Sequence, residues 1–319
     1  MLRAVMALVV WGALACAQVR PASEATGPVE VADAGVSVAA VVAVPKPEPL
    51  PSDRVALEAR AKAAFEAREL PGHAEESGQA YEELAARSDA PVDALLNAAR
   101  ARRFAAEALA RRSLQAAKDA LPGARGAELS SAAAREAQAC AADARKAWTQ
   151  AAPKSAAAFE QDPSLASLAE VPASGAEPLL LDGVCTALWA RTRGFVALAE
   201  RRDELKAVFT RVGALDPRLD DAAADRHLGA LLAQLPAYAG GDLREAKAHF
   251  ERALSLAPGS PATRVLYART VAVKQLDRAL FDRLLAEAQK LPARGIEDRA
   301  AQAEALELSQ RADALFGGE

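Results

Sequence analysis

The sequence predicts an all-α fold of stacked helical hairpins, and three observations carry that prediction. Hydrophobic residues make up 51% of the 319-residue chain but aromatic ones only 4%, so the apolar content is mostly Ala, Leu and Val. Ala and Leu, mixed with Glu, Arg and Lys, lose little rotamer freedom in a helix, and the β-branched and aromatic residues that suit a pleated sheet are sparse beyond the first 45 positions. From Asp53 onward the chain divides into helix-length pieces punctuated by Pro, Gly and Asp. A formal net charge of -4 gives no long-range attraction to phosphate backbones or anionic lipid, so nucleic acid is not an expected partner.

Residues 1–15 read as a secretory signal peptide: Met1-Leu2-Arg3, an apolar stretch from Ala4 to Leu14, and the small-residue ending Ala13-Leu14-Ala15. The stretch is too short to span a bilayer. Cys16 follows directly and resembles the cysteine of a bacterial lipobox, which implies a lipid anchor and a periplasmic location; the alternative is cleavage after Ala15 or Ala17 to release a soluble protein. Residues 16–52 form a Pro/Ala-rich disordered tether, since the alternating prolines of Val44-Pro45-Lys46-Pro47-Glu48-Pro49-Leu50-Pro51 remove backbone donors and fix φ.

A helical repeat domain is expected over 53–316. Residues 53–69 and 74–87 pair across Pro71-Gly72, and a helix from about Pro91 runs to Ala120, where Leu121-Pro122-Gly123 stops it. An insertion at about 125–176 comprises a long helix from about Ala127 to Ala151 and an irregular, mobile excursion over 153–176. Helices then follow at 177–199, 200–214, 221–239, 242–257, 261–274, 277–291 and 297–316. Cys140 and Cys185 either pair in an oxidising compartment or lie apart as buried thiols. Arg100, Arg102, Arg103, Arg111 and Arg112 alternate with Ala and Glu as solvated helix faces would.

The segment 227–260 is the most informative. After Gly241-Asp242-Leu243, the positions Ala246, Phe250, Ala253, Leu254 and Leu256 keep helix spacing up to Pro258. Ala246 and Ala253 let two helices approach closely, Phe250 fills the groove between them, and Asp242 caps the second helix. Gly259-Ser260-Pro261 then supplies a turn, an N-cap and a first-turn proline, so the next helix starts where a repeat of about 34 residues puts it. This unit resembles the tetratricopeptide repeat and implies a tetratricopeptide-like α-solenoid.

A longer string carries a narrower resemblance. Leu215-Asp216-Pro217, Arg226-His227-Leu228-Gly229-Ala230-Leu231-Leu232-Ala233-Gln234-Leu235-Pro236, Gly240-Gly241-Asp242-Leu243, His249-Phe250-Glu251-Arg252-Ala253-Leu254, Leu266-Tyr267-Ala268 and Gln275-Leu276-Asp277-Arg278-Ala279-Leu280-Phe281 resemble the T-component family, periplasmic lipoproteins associated with TRAP transporters. The resemblance implies a non-enzymatic, self-associating protein, trimeric like family members. It also implies a transporter's solute-binding subunit as partner and a small hydrophobic or organic ligand. Carrying over the concave positions of such folds gives Leu228, Leu231, Leu235 and Tyr238 on one hairpin and Val265 and Arg269 on the next, an apolar groove with one cation for a carboxylate. The other reading of the leucines is core between neighbouring hairpins. A general cell-envelope scaffold is the alternative function.

No chemistry of a reaction is legible. His73, His227 and His249 occur singly, no paired Cys/His spacing or HExxH is present, and neither GxxxxGK[ST] nor GxSxG occurs, so neither a metal nor a cofactor is expected.

Overall fold

The computed structural model describes residues 48–90, 93–118 and 123–317; the signal, Cys16 and the tether up to residue 47 lie outside them. The regular elements of the described residues are all helical. In chain order they are α1 (Arg54–Glu66), α2 (His73–Ala85), α3 (Ala94–Lys118), α4 (Gly123–Ala151), α5 (Pro153–Gln161), α6 (Ala176–Arg193), α7 (Phe195–Glu200), α8 (Arg202–Leu215), α9 (Leu219–Gln234), α10 (Leu243–Leu256), α11 (Pro261–Tyr267), α12 (Arg278–Lys290), α13 (Ile296–Gln310) and α14 (Ala312–Phe316).

Local chemistry sets the boundaries. Asp53 accepts a hydrogen bond from the Ala56 N–H at 2.8 Å, Asp242 accepts from Arg244 and Glu245 at 2.8 and 2.9 Å, and Asp277 accepts from Leu280 at 2.9 Å, each satisfying donors that a helix start leaves open. Ser260 caps α11 through the Thr263 N–H, with Pro261 in the first turn as its spacing predicts. Gly240 turns the chain at φ +85° after Pro236. A Cβ on the next residue, Gly241, would stand 2.0 Å from the Leu235 carbonyl oxygen, so the double glycine is a backbone crossing that no side chain fits.

Packing runs along the chain: α1 lies on α2, α2 on α3, α3 on α4, α4 on α6, α6 on α8, α8 on α9, α9 on α10 and α11, and α11 on α12 and α13. α9 is sandwiched. Leu228, Leu231 and Leu235 enter a core with Trp148, Phe159, Leu205 and Phe209, while Ala230, Leu232 and Ala233 face a second core around Phe250, Tyr267 and Phe281. Packed on two sides, α9 leaves only Asp225, His227 and Gln234 partly exposed from Ala222 to its end. Between α9 and α10 a Cβ on Gly229 would meet Phe250 at 2.9 Å, so the small residue that brings this pair together is Gly229.

Several expected boundaries shift. The helix expected over 177–199 breaks at Gly194, whose φ is +103°, and the one expected over 297–316 breaks at Arg311. The excursion at 153–176 consists of short helical turns, α5 and two single 3-10 turns, and it folds back to bury Phe159, Leu168 and Val171 in the core beside Trp148. Within the basic cluster on α3, Arg112 is exposed and Arg100, Arg103 and Arg111 are partly exposed, but one member is buried. Arg102 is 6% exposed, reaching Glu82, Glu136 at 3.1 Å and Asp143 at 3.1 Å, and the absent side chain of Gly78 on α2 makes its room.

Cys140 on α4 and Cys185 on α6 form a disulfide with 5.8 Å between their Cα atoms. Of the two sequence readings, the paired one holds. Closing 45 residues of chain, this bond restricts the unfolded state, so the double variant C140A/C185A is expected to unfold about 2–4 kcal/mol more easily, read by denaturant titration.

Asp143 is 1% exposed, and its Oδ2 lies 3.1 Å from Arg102 Nε without the alignment of a hydrogen bond. Burial pushes its carboxyl up to about 6, which Arg102 only partly offsets. Because the folded state holds this proton more tightly than the unfolded chain, the group's contribution is full below about pH 4 and is lost as pH rises toward about 6. Asp143→Asn has no charge to bury. Its unfolding free energy relative to the parent should therefore improve by roughly 2–3 kcal/mol between about pH 4 and pH 6.5. A difference that does not change with pH in urea titrations would absolve this carboxylate.

Candidate functional site

The first helix of each successive hairpin turns toward one interior. α3 touches α6, α6 touches α9, α9 touches α11 and α11 touches α13. The two ends of this series then meet through long side chains: Arg68 to Glu297 at 2.7 Å, Arg299 to Glu69 at 3.0 Å, and Arg111 to the Ala300 carbonyl at 3.1 Å. The stack thus returns on itself.

Charged groups on all five of these helices act on one another. On α3, Arg103 pairs with Glu107 one turn later at 3.2 Å and with Asp220 of α9 at 3.1 Å. Burial opposes the Arg103 charge, but Glu107 and Asp220 outweigh it and hold its pKa above the ordinary arginine value. On α9, Arg226 is 4% exposed and binds the Asp220 carboxylate at 3.1 Å. Arg269 pairs with Glu304 of α13 at 2.6 Å. Arg191, near the end of α6, is exposed; desolvation and the charge of Arg269 lower its pKa, which Glu107 and Glu304 partly offset.

Two backbone irregularities adjoin this cluster. Asp220, Asp221 and Ala222 have φ of 47°, 57° and 58°, three consecutive non-glycine residues in left-handed conformation where sequence spacing suggests an ordinary helix start. Such residues cost about 1–2 kcal/mol each and persist only where surroundings hold them. The holders are guanidiniums. Arg226 Nη1 donates to the Asp220 carbonyl at 3.0 Å and to the Asp221 carbonyl at 3.3 Å, and Arg294 grips the Asp221 carboxylate while pairing with Asp298 at 2.7 Å. The second irregularity is a π-helical turn, Ala268–Ala272, which continues α11 and includes Arg269. Single π turns inside helices recur at functional sites. Beyond it, Lys274 donates to the Ala233 and Leu235 carbonyls at 2.7 and 3.0 Å, capping the end of α9.

His227 sits among these groups. Its ring stacks on Phe209 with centroids 5.4 Å apart, and burial, then Arg226, Arg103, Arg191 and Arg269 in turn, depress its pKa well below the usual imidazole range. The ring is therefore neutral at physiological pH. His249 belongs elsewhere: with Arg252 it holds Asp225, at 2.6 Å from the ring nitrogen.

The residues carried over from the concave positions lie in different settings. Leu228, Leu231 and Leu235 are buried in the α6–α9 core, Val265 is buried in the α9–α13 core, and Tyr238 is 83% exposed in the turn after α9. Arg269, in the π-helical turn, is partly exposed and pairs with Glu304. Arg103, Arg191 and His227 were missed as a set, because 124 residues of chain separate Arg103 from His227 and only the stacking brings them together. Elsewhere, a cavity of about 280 Å³ between α4, α6 and α8 is lined by Arg145, Asp182, Trp189, Arg201 and Glu204. Its charges already satisfy one another: Arg145 binds Asp182 and Glu204, and Trp148 donates to Asp182 at 2.8 Å.

Among the described residues no helix is long and apolar enough to cross a membrane, and no group of three or more His, Cys, Asp or Glu is placed to hold a metal ion. Residues 180–316 match the family described as TRAP transporter T-component. This bears out the resemblance read from 215–285 and extends it at both ends. No curated protein matches the chain.

The left-handed run yields a direct test. Glycine adopts that conformation without the Cβ penalty, so Ala222→Gly should raise the unfolding free energy by about 1 kcal/mol, whereas Ala→Gly inside a regular helix lowers it by a similar amount. Thermal unfolding of the variant distinguishes the two.

Proposed function

We infer that the protein is a non-enzymatic binding accessory of a TRAP-type transporter, tethered in the periplasm by lipid on Cys16. The observation that carries this is the T-component match, which covers α8 to α14 and all but the first few residues of α6. The disulfide between α4 and α6 supports export, since such bonds persist in oxidising compartments. The Pro-rich stretch before Ser52 supports a tether, because closely spaced prolines keep a chain extended.

In this reading the folded unit engages the transporter's solute-binding subunit and assembles with copies of itself, three by family resemblance. Its interior, bounded by first helices and rigid ion pairs, receives the transported small organic ligand. Arg269 and the concave positions Leu228, Leu231, Leu235, Tyr238 and Val265 belong to the hairpins that shape that chamber. In this reading the protein binds and carries no catalytic chemistry of its own.

The test is affinity purification from native membranes under mild detergent. An exported solute-binding protein of the TRAP type should co-purify in stoichiometric amount, and Cys16→Ser should shift the protein from the membrane to the soluble periplasmic fraction. Recovery of the intact protein without any such subunit would sink the transporter role.

A further inference from the structure

Charge is balanced in the cleft of about 280 Å³ between α4, α6 and α8, but hydrogen-bonding capacity is not. Asp182, fully buried, accepts from Arg145 on both oxygens, from Trp148 at 2.8 Å and from Thr186 at 3.4 Å, so its carboxylate has nothing left to offer. Glu204 accepts from Arg145 at 3.1 Å on one oxygen and from Arg201 at 2.8 Å on the other. The guanidiniums, by contrast, keep donors. Arg145 uses Nε and Nη2, Arg201 uses only Nη1, and the Trp189 indole N–H makes no hydrogen bond with a described residue. All three side chains line the cleft. An occupant must therefore supply acceptors.

The walls are fixed in advance. Cys140 precedes Ala141 on α4 and Cys185 precedes Thr186 on α6, so the disulfide joins the two faces beside the cleft. The Arg145 guanidinium is held 5.6 Å from the Trp148 ring centre and 5.4 Å from that of Phe159, both buried, and Glu204 draws Arg201 to the same point. Arg193 and Arg201 stand 5.8 and 5.9 Å from the Trp189 ring centre, and Arg193 pairs with no described carboxylate. Around this indole, guanidiniums outnumber the carboxylates that line the cleft, which leaves positive charge over.

We propose that this cleft binds a small aromatic monocarboxylate, its ring between the Trp189 indole and the Ala141 and Ala142 side chains, its oxygens on the unused donors of Arg145 and Arg201. Flat rings pack well on an indole, and the free N–H edge of a guanidinium matches a carboxylate. The volume is at the small end of ligand pockets, which admits one ring with a short acid. An ammonium group finds no spare carboxylate there, and the surplus positive charge opposes it. Because α4 lies outside residues 180–316, the site does not rest on the transporter role.

Calorimetric titration of the full-length protein with benzoate, benzamide and benzylamine tests the site. Saturable one-to-one binding of benzoate is expected, with benzamide at least about tenfold weaker and benzylamine not bound. Arg201→Gln should weaken benzoate by about tenfold while the melting temperature changes little, since Arg201 is exposed and Arg145 still holds Glu204. Trp189→Leu, which keeps apolar bulk without a ring face, should weaken it by about two- to tenfold. Should Arg201→Gln not fold, Arg201→Lys retains the charge without the fork and should bind measurably but less tightly than the parent. Absence of saturable binding, equal binding of benzamide, preference for benzylamine, or parent-like benzoate affinity in Arg201→Gln or in Trp189→Leu would each overturn the proposal. Benzoate binding by a protein that captures no solute-binding subunit would leave this site standing and remove only the transporter role.

Discussion

The arrangement of the interior depends on Arg226. This guanidinium is nearly inaccessible to water, and it spends its donors on the Asp220 carboxylate and on the carbonyls of Asp220 and Asp221. Those bonds hold three residues in a conformation that L-amino acids avoid. In return, the turned segment presents Asp220 to Arg103 on α3 and Asp221 to Arg294 ahead of α13. One local clamp therefore sets the relation of three helices that are distant in sequence. Without it the opening of α9 would relax to an ordinary helical turn, and both carboxylates would point elsewhere.

Around that clamp the hydrophobic effect supplies the bulk of the stability and the charges supply the arrangement. The large side chains Trp148, Phe159, Phe209, Phe250 and Phe281 are fully buried, two cores flank α9, and small residues fill the spaces between. Ala-rich helices approach closely and leave little apolar surface to spare. Interior positions can then be given to long polar side chains, whose stems pack while their heads pair across the enclosed space. That division explains how a chain with few aromatic residues builds both a dry core and a charged chamber.

The part of the fold set by local pattern was legible. Asp242, Ala246, Phe250, Ala253, Ser260 and Pro261 announce α10, its cap and the start of α11, and the longer string 215–285 points to the family that the match over 180–316 supports. Features set by tertiary contact were hidden. Asp220-Asp221-Ala222 reads as an acidic helix start, because acidic side chains favour that end and nothing local reports the carbonyl bonds from Arg226. Ala268–Ala272 likewise reads as regular helix. The pairing of Cys140 with Cys185 could not be decided from spacing.

The join between the two ends of the stack is of a different kind from everything it encloses. It rests on Arg68 with Glu297, Arg299 with Glu69 and Arg111 on the Ala300 carbonyl; the two carboxylates are 63% and 45% exposed, so their ion pairs add little and weaken in salt. The neighbouring helices are fastened by apolar surface that salt does not loosen. Ionic strength is therefore a handle on one seam alone, and the circumference behaves as a clasped bracelet: firm along its links, easily parted at the fastening.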